Sequence, residues 1–311
     1  MERYYLGIDT SCYTTSCAIV DSSGHIVGEA RKLLSVKPGE RGLKQSQMVF
    51  QHTRALPELM ESLPIYTLSG IGVSAFPRRA LDSYMPAFLV GLGQGRTLAH
   101  TLQIPLYQFS HQENHILAAL RPLGDVIRQP FFSLHLSGGT TDLLYCTYDN
   151  NGFFRIEKIG TSIDLQGGQF VDRVGVALGL GFPAGRELER LALTAKDYDP
   201  LPSSVKEGEI SFGGPCSEAL RRIERGVVPG SMALSVFKAI ERGLTKMIAY
   251  HLDRYNVNTL VAVGGVMSNS LLRKGISDFC RRHGTHVIYA EPQYSVDNAT
   301  GVAFGVAYLN Q

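Results

Sequence analysis

The sequence has few cysteines, and no two of them form a CxxC pair. The five that occur among 311 residues are scattered along the chain and odd in number. This pattern argues against a zinc–thiolate site and is typical of reduced thiols. The chain also lacks an apolar run near the roughly 18–20 residues that span a bilayer, and it does not open with a secretion signal. We therefore expect a cytoplasmic protein without a membrane segment.

The chain also has little excess of either charge. Its formal net charge is +2, which neither favours nor excludes a nucleic-acid partner. Arginine pairs such as Arg78-Arg79 and Arg281-Arg282 are as typical of solvated helix faces as of a basic patch. Hydrophobic residues make up 44% of the chain and charged residues 19%, as in a globular protein. The length favours two packed lobes over one.

An internal repeat organises the chain. Residues 4–27 contain three apolar runs separated by turn residues, which is the pattern of a three-strand meander, and residues 132–155 repeat it at a spacing of 128 residues. The matched positions are Ile8 and Leu136, Asp21 and Asp149, and Gly24 and Gly152. Strand and helix patterns alternate after each meander, so the sequence predicts an α/β protein with a duplicated lobe.

Hydrophobic periodicity predicts the elements that follow each meander. Apolar residues at helical spacing predict long helices, and short apolar runs between turn residues predict strands. The predicted helices cover 45–63, 86–102, 170–180, 232–255 and about 298–309, with one more from about Asn269, and the predicted strands cover 69–76, 259–263 and 285–289.

Glycine, serine and threonine are concentrated at turns that could bind phosphate. Asp9-Thr10-Ser11 and the turn 137–141 each follow the first strand of a meander, where backbone N–H groups could face an anion. Ordinary hairpins also use these residue types. Gly264-Gly265 follows a strand but has neither GxGxxG nor P-loop spacing. A dinucleotide fold and a P-loop are therefore excluded.

Two histidines occur in the stretch FSHQENHILAAL. Ser110 and Glu113 form an S-x-x-E capping box, which predicts that a helix begins at His111. His111 and His115 then lie on one helix face, at a spacing that lets two imidazoles reach one ion. The alternative is two polar helix residues with no ligand.

The pair differs from the HExxH motif of zinc peptidases. Glu113 lies about 200° round the helix from His111, at about 100° per residue, and capping accounts for it. A metal needs a third ligand, for which Asp297 is the candidate by type and context. An aspartate just before a helix is also a good N-cap, and nothing in the spacing brings Asp297 to the histidines.

Five motifs occur in an order that resembles a known family. They are HQENH (111–115), LSGGTTDL (136–143), DRVGVALGLGFPAG (172–185), AVGGVMSNSLLR (262–273) and SVDNA (295–299). They resemble those of the TsaD/Gcp/YgjD family, formerly called O-sialoglycoprotein endopeptidases, over nearly the whole chain. The resemblance implies an actin-like ATPase (ASKHA) fold with two duplicated RNase H-like lobes around a nucleotide cleft. We expect an N-terminal lobe, 1–110, on which a final helix (298–311) packs, and a C-terminal lobe, 111–297, with helical insertions.

The resemblance also implies roles for individual residues. His111, His115 and Asp297 would bind one divalent metal, zinc or iron. The residues implied for the nucleotide, ATP or an acyl-adenylate, are Ser137, Gly138, Gly139, Asp172, Gly185 and Asn269. Candidates for the substrate side are Asp9, Thr10, Ser11 and Tyr13. A helix-surface carboxylate is the alternative for Asp172, and a helix N-cap is the alternative for Asn269.

Members of the family transfer a threonylcarbamoyl group from its adenylate to the exocyclic amine of the adenosine next to the anticodon of tRNA. The resemblance therefore implies a metal-dependent acyltransferase with tRNA as substrate. It also implies a smaller TsaB-like paralogue, or a second copy of the chain, as a protein partner.

Several acids and a lysine of the family pattern are replaced. A CDET-like run reads Cys12-Tyr13-Thr14-Thr15, and the run corresponding to DDAAGEAFDK is DLQGGQFVDR (164–173). The SGLKT stretch reads GGPCS (213–217), without its lysine. A divergent paralogue is therefore expected. The alternative functions are a non-catalytic or other-substrate paralogue that acts as a binding partner or regulator, and, third, a metallopeptidase.

Overall fold

A computed structural model describes residues 2–36, 43–149 and 153–311. Gly152, one of the matched positions of the repeat, lies outside the described residues. The strands, in chain order, are β1 (Tyr4–Asp9), β2 (Thr14–Asp21), β3 (Ile26–Leu33), β4 (Leu68–Phe76), β5 (Leu106–Ser110), β6 (Phe131–Leu136), β7 (Thr141–Tyr148), β8 (Phe154–Thr161), β9 (Ser204–Lys206), β10 (Glu209–Ser211), β11 (Thr259–Val263) and β12 (His286–Tyr289). The α-helices are α1 (Gln45–Glu61), α2 (Phe88–Leu102), α3 (His111–Leu120), α4 (Gly167–Ala177), α5 (Gly185–Ala192), α6 (Gly213–Glu224), α7 (Pro229–Leu252), α8 (Ser270–Arg282) and α9 (Thr300–Leu309).

Two five-stranded mixed sheets confirm the internal repeat. The first has the strand order β3-β2-β1-β4-β5 and the second has the corresponding order β8-β7-β6-β11-β12. In each sheet the first strand of the meander is antiparallel to the second and parallel to the strand that follows the helices. The matched residues Ile8 and Leu136 both lie near the end of such a first strand.

The chain forms two compact units. One comprises Met1–Arg128, Tyr148–Arg155 and Gln293–Gln311, and the other comprises Gln129–Thr147 and Ile156–Pro292. Helix α3 lies in the first unit because it packs along α9. The predicted lobe boundaries, 1–110 and 111–297, place α3 in the other lobe, and they stay a prediction.

Both faces of the first sheet are covered. Leu6 and Ile8 face α1 and α2 and pack with Ile71 and Val73 in one apolar cluster. The opposite face carries α9, which contacts β1, β2 and β4. β1 is therefore almost entirely buried, as is typical of a central strand with helices on both sides.

Glycines allow α9 to lie very close to its neighbours. A Cβ atom on Gly7 of β1 would lie 2.8 Å from the backbone nitrogen of Ala303, and one on Gly72 of β4 would lie 2.7 Å from a methyl group of Val306. A Cβ on Gly301 would overlap the Asn114 carbonyl oxygen and lie 2.7 Å from the Ala118 nitrogen. Real Cβ atoms do not approach other atoms so closely. The backbone of α9 can therefore lie this near to β1, β4 and α3 only because glycine occupies the contact positions.

The second unit has its core between its sheet and the helices that follow it. Phe132, Leu134 and Leu136 of β6 project into a large apolar cluster with α4, α5, α6, α7 and α8. α7 is the longest described helix, with 24 residues. Among the residues described, no helix has both the length and the hydrophobicity needed to cross a bilayer.

The observed elements differ from the predicted ones mainly at their ends. α4 begins at Gly167 rather than 170, and the Gln169 side chain accepts a hydrogen bond from the Gln166 N–H at this end of the helix. α7 begins at Pro229, a residue suited to the first helical turn. The sequence patterns do not predict β5, α5, α6 or the β9–β10 ribbon.

We expect Gly301→Ala to destabilise the first unit by at least about 1–3 kcal/mol, because the added methyl group must displace helix backbone. Gly93→Ala is the matched control, since Gly93 is also helical but a Cβ there meets nothing within 4 Å. Alanine has the higher helix propensity, so the control should be neutral or gain up to about 1 kcal/mol. Thermal unfolding of both variants measures the difference. Equal stability of the two variants would contradict the close-packing account.

Candidate metal centre

The two histidines and Asp297 converge in the first unit. The Nε2 atoms of His111 and His115 lie 3.1 Å apart. One carboxylate oxygen of Asp297 lies 3.6 Å from Nε2 of His111 and 3.5 Å from Nε2 of His115. The three ligand atoms are all within 4.8 Å of one another. The structure thus brings together residues that are far apart in sequence.

The separations fit a shared ion. Nitrogen and oxygen ligands lie about 2.0–2.2 Å from zinc, so two ligands of one ion are at most about 4.2 Å apart. The three measured distances fall below this limit. Two imidazoles and one carboxylate are donors suited to zinc or iron, and three protein ligands leave further coordination positions open.

Capping fixes the start of α3 and with it the histidine pair. The Ser110 hydroxyl accepts a hydrogen bond from the Glu113 backbone N–H at 3.1 Å, and the Glu113 carboxylate accepts one from the Ser110 N–H at 2.7 Å. This is the reciprocal capping box that the sequence predicts, and it is confirmed. His111 is consequently the first residue of the helix and His115 follows one turn later.

Glu113 has further hydrogen-bond donors, so that both of its carboxylate oxygens are engaged. Arg79 donates from Nη2 at 3.0 Å, and the Phe154 N–H donates at 3.3 Å. The Arg79 guanidinium also lies over the Phe153 ring, 4.3 Å from its centroid. Glu113 is 1% exposed. It therefore stabilises the fold and is not placed as the general base of a peptidase.

Asn298 shapes the loop that carries Asp297. Its amide group donates to the carbonyl oxygens of Tyr294 at 3.0 Å and Val296 at 2.7 Å. Its carbonyl oxygen accepts a hydrogen bond from the Thr300 N–H at 2.9 Å. The Asn298 side chain thus accepts the hydrogen bond from the first N–H group of α9. Asn298, rather than its neighbour Asp297, has the capping role considered for Asp297.

Burial and charge set the protonation of the centre. Burial lowers the pKa of His111 to about 4, with a further decrease from His115 and an opposing effect of Asp297. Burial raises the pKa of Asp9 to about 7, and the nearby Asp297 carboxylate adds to the effect. His111 is therefore neutral near pH 7, which is the form that binds a metal.

The residues predicted for the substrate side occupy different environments. Asp9 is fully buried, and its Oδ2 atom lies 3.9 Å from Nδ1 of His111. The Thr10 hydroxyl donates to the Ala87 carbonyl oxygen and accepts from the Gly91 N–H, so it holds the start of α2. Ser11 is buried beside Asp9, to which its N–H donates at 2.8 Å. Their substrate role stays a prediction.

Tyr13 stands apart from these buried residues. Its side chain is partly exposed, and its hydroxyl oxygen accepts from the Leu43 N–H at 3.4 Å. Thr14, the second replacement in the CDET-like run, begins β2 and is buried. The segment 11–14 thus carries no carboxylate between Asp9 and β2.

The sequence patterns did not single out His52. It lies in α1, fully buried, with Nδ1 2.8 Å from the Thr15 hydroxyl and Nε2 3.1 Å from the Cys12 carbonyl oxygen. Burial lowers its pKa. His52 therefore supports the turn after β1 as a neutral hydrogen-bonding group. Its position on the buried face of a periodic helix was the available sequence signal.

In the second unit, the glycine-rich turn links β6 and β7. The Ser137 N–H donates to the Thr140 carbonyl oxygen at 2.9 Å, which closes the turn. A Cβ on Gly138 or Gly139 would meet nothing within 4 Å, so one side of the turn is open. Gly168, near the start of α4, packs directly against this turn. The arrangement places a helix N-terminus beside the turn, as phosphate sites in proteins often do.

The remaining residues predicted for the nucleotide also have local roles. Asp172 accepts a hydrogen bond from the Ala184 N–H at 2.8 Å, just before α5 begins at Gly185, and burial raises its pKa. Asn269 caps α8 by accepting from the Leu272 N–H at 3.0 Å. Its Nδ2 atom is buried and has no hydrogen-bond partner among the described residues. The capping alternative for Asn269 is confirmed, and one donor remains available to a ligand.

A neutral residue has a structural role at one of the two replaced acids. Gln169, which stands where the family pattern has Glu, accepts a hydrogen bond from the Gln166 N–H at 3.2 Å at the start of α4. Asp164, the first acid of this run, accepts from the Ser211 hydroxyl and from the N–H groups of Phe212 and Gly213. The run therefore folds without the missing carboxylates.

Comparisons with known proteins bear on the family and the fold. A family model for TsaD, described as tRNA N6-adenosine threonylcarbamoyltransferase, matches residues 84–304. A curated relative from Methanothermobacter thermautotrophicus, a probable bifunctional tRNA threonylcarbamoyladenosine biosynthesis protein, is 30% identical over 302 residues. The match covers 96% of this chain and 54% of the relative, so the chain spans about half the length of that protein.

Solved structures resemble the chain at low sequence identity. HypF from T. kodakarensis has a TM-score of 0.63 at 14% identity, over 99% of this chain and 48% of HypF. Component A of (R)-2-hydroxyglutaryl-CoA dehydratase from Acidaminococcus fermentans has a TM-score of 0.58 at 16% identity, over 99% and 98%. A ROK-family glucokinase from Streptomyces griseus, in complex with glucose and AMPPNP, has a TM-score of 0.53 at 12% identity, over 96% and 98%. The likeness confirms the actin-like ATPase fold.

We expect Glu113→Ala to destabilise the protein strongly, because it leaves the Ser110 and Phe154 N–H groups and Arg79 without their acceptor. Each buried donor left unpaired costs about 1–3 kcal/mol. Glu58→Ala is the matched control, since Glu58 pairs with Lys32 at 3.0 Å but both side chains are more than half exposed. An exposed pair contributes about 0–1 kcal/mol. Urea unfolding compares the two variants, and similar losses would show that Glu113 has no special structural role.

Proposed function

Since the chain belongs to the TsaD family of tRNA N6-adenosine threonylcarbamoyltransferases, we propose that it is a metal-dependent, nucleotide-binding threonylcarbamoyl transferase. Its substrate is the adenosine next to the anticodon of tRNA. The observation that carries this proposal is the convergence of His111, His115 and Asp297. A protein that only served as a scaffold would have no need of three ligands in this arrangement.

The metal site would be held entirely by the first unit. Nε2 of each histidine and one oxygen of Asp297 would be the ligand atoms, since these are the atoms that face one another. A bound zinc or iron ion would supply a Lewis acid for the negative charge of the threonyl carboxylate or the phosphate. The capped start of α3 holds both imidazoles on one helix face, and the loop shaped by Asn298 presents Asp297 to them.

The second unit supplies the residues proposed for the nucleotide. The open turn Ser137-Gly138-Gly139 and the adjacent N-terminus of α4 offer backbone N–H groups to phosphate oxygens. Asp172, Gly185 and Asn269 would hold the ribose and base. The unpaired Nδ2 atom of Asn269 supports this assignment, because a ligand oxygen or ring nitrogen would satisfy a buried donor.

The proposed reaction is an acyl transfer. The exocyclic nitrogen of adenosine attacks the carbamoyl carbon of the adenylate, and the bond between that carbon and the phosphate oxygen breaks. AMP leaves with the electron pair, and the nitrogen passes one proton to the departing phosphate or to solvent. With Tyr13 and Thr14 in place of two acids, no carboxylate of the segment 11–14 is available to accept the proton.

This loss favours a second candidate function. The chain could keep the metal and the fold but act on another acceptor, or serve as a binding partner or regulator of a standard transferase. Cys216 stands where the family pattern has its lysine, so a further charged group is also absent. A smaller TsaB-like paralogue, or a second copy of this chain, is the proposed protein partner, and the cytoplasm is the proposed compartment.

Removing both histidines should abolish bound metal. We expect the purified protein to contain about one zinc or iron ion per chain, and His111→Ala with His115→Ala to contain none, because one carboxylate alone binds weakly. His25→Ala with His100→Ala is the matched control, since these histidines are exposed and lie outside the centre. Elemental analysis gives the stoichiometry. Equal metal content in the double-histidine variant and the wild type would overturn the assignment.

Supplying the protein to cells depleted of their standard transferase should restore threonylcarbamoyladenosine in tRNA. Mass spectrometry of nucleosides from digested tRNA measures the product. The double-histidine variant should restore none at equal expression, since its metal site is lost. Absence of product from a well-expressed wild-type chain, with metal bound, would reject the tRNA activity and favour the other-acceptor or regulatory function.

A further inference from the structure

Asn114 lies between the two histidines in sequence and joins three parts of the first unit. Its amide nitrogen donates to Oδ2 of Asp9 at 2.7 Å and to the Asn298 carbonyl oxygen at 2.6 Å. Its amide oxygen accepts from the Val302 N–H at 2.9 Å. Both N–H donors of the side chain are therefore used, and all of these contacts are buried. Asn114 thus ties the end of β1 to the loop that carries Asp297 and to α9.

Asp9 faces the side of His111 that points away from the ligand cluster. Its Oδ1 atom accepts from the Ser11 N–H at 2.8 Å, and its Oδ2 atom, besides accepting from Asn114, lies 3.9 Å from Nδ1 of His111. This Nδ1 atom is buried and has no hydrogen bond within the described part of the chain. The opposite ring nitrogen, Nε2, faces His115 and Asp297.

We propose that Asp9 and Asn114 are positioning residues for the metal centre. Asp9 keeps the proton of His111 on Nδ1, which leaves the Nε2 lone pair directed at the ligand cluster. Asn114 holds Asp9 and the Asp297 loop at a fixed spacing. The inference deepens the proposed function, because it rests on the metal site proposed there. In many metal sites the ligating histidine donates its other ring N–H to a carboxylate, which fixes the imidazole tautomer and orientation. Here Asp9 lies 3.9 Å from Nδ1, beyond hydrogen-bond distance, so its effect on the His111 proton is electrostatic.

The contact between the two imidazoles adds a second condition. Their Nε2 atoms lie at hydrogen-bond distance, 3.1 Å, so one of them must carry a proton in the metal-free protein. With the His111 proton on Nδ1, the donor is Nε2 of His115. The metal-free protein then has one defined proton arrangement, in which His111 is already in its ligating form.

Asp9 and Asn114 are too deeply buried to contact a substrate directly. Asp9 and Asn114 are at most 1% exposed. Both carboxylate oxygens of Asp9 already accept hydrogen bonds from the chain. Asp9 therefore acts through His111, and the role inferred for it differs from the substrate-side role that its turn position predicts.

The test is the tautomer of His111 in the metal-free protein, measured by nitrogen-15 NMR at pH 8. We expect Nδ1–H on His111 in the wild type and a shift towards Nε2–H in Asp9→Asn, since the neutral amide favours Nδ1–H less strongly. Asp21→Asn is the matched control, because Asp21 likewise accepts two N–H groups of the same unit, both from the backbone, but lies at a surface turn. An Nε2–H tautomer in the wild type would overturn the proposal.

Zinc affinity provides a second readout. Loss of a supporting carboxylate typically weakens metal binding about 10–100-fold, so we expect this loss in Asp9→Asn and none in Asp21→Asn. Asn114→Ala serves where Asp9→Asn does not fold, and it should weaken zinc binding similarly by releasing the Asp297 loop. Unchanged affinity in the folded variants would reject the positioning role. A wild type that binds no zinc but shows the Nδ1–H tautomer would reject the metal and retain the orientation of His111 by Asp9.

Discussion

The close contact of α9 with β1, β4 and α3 is the constraint on which the first unit depends. Gly7, Gly72 and Gly301 leave out the side chains that would hold the helix away. The backbone of α9 packs directly against these elements, and the N-terminus of α9 lies beside the start of α3. The loop before α9 carries Asp297, so the same contact that fills the core also positions the third proposed ligand. Fold and candidate site are therefore set by one interface.

Two buried polar side chains convert this packing into defined geometry. Asn114 hydrogen-bonds to β1, to the loop before α9 and to α9 itself. Glu113 closes the capping box and pairs with Arg79. A buried polar network stabilises a single arrangement only when its members are satisfied. Here Glu113 and Asn114, which are consecutive residues of α3, have their hydrogen bonds satisfied. The flanking histidines, His111 and His115, are held in fixed positions as a result.

Local chemistry explains which features the sequence could predict. β11 occupies the predicted range Thr259–Val263 because turn residues bound it on both sides, and α3 begins at His111 because Ser110 and Glu113 specify its first turn. Both rest on neighbours in sequence. The meeting of Asp297 with the histidines rests on how closely α9 packs, which no local pattern encodes. β5 was missed because Gln108 interrupts its apolar run, so the strand depends on its pairing with β4.

Asp9 is fully buried and lies near two imidazoles and the partly exposed Asp297. Burial removes hydration from the Asp9 carboxylate and the nearby Asp297 carboxylate repels it, which is why the pKa of Asp9 rises to about 7. The hydrogen bonds from Ser11 and Asn114 offset only part of that cost. A divalent cation would offset more, because it attracts both carboxylates and uses the neutral form of His111 that burial already favours. Binding of such an ion and folding of the first unit would then be coupled, with the positive charge stabilising an arrangement that the chain alone holds at a cost.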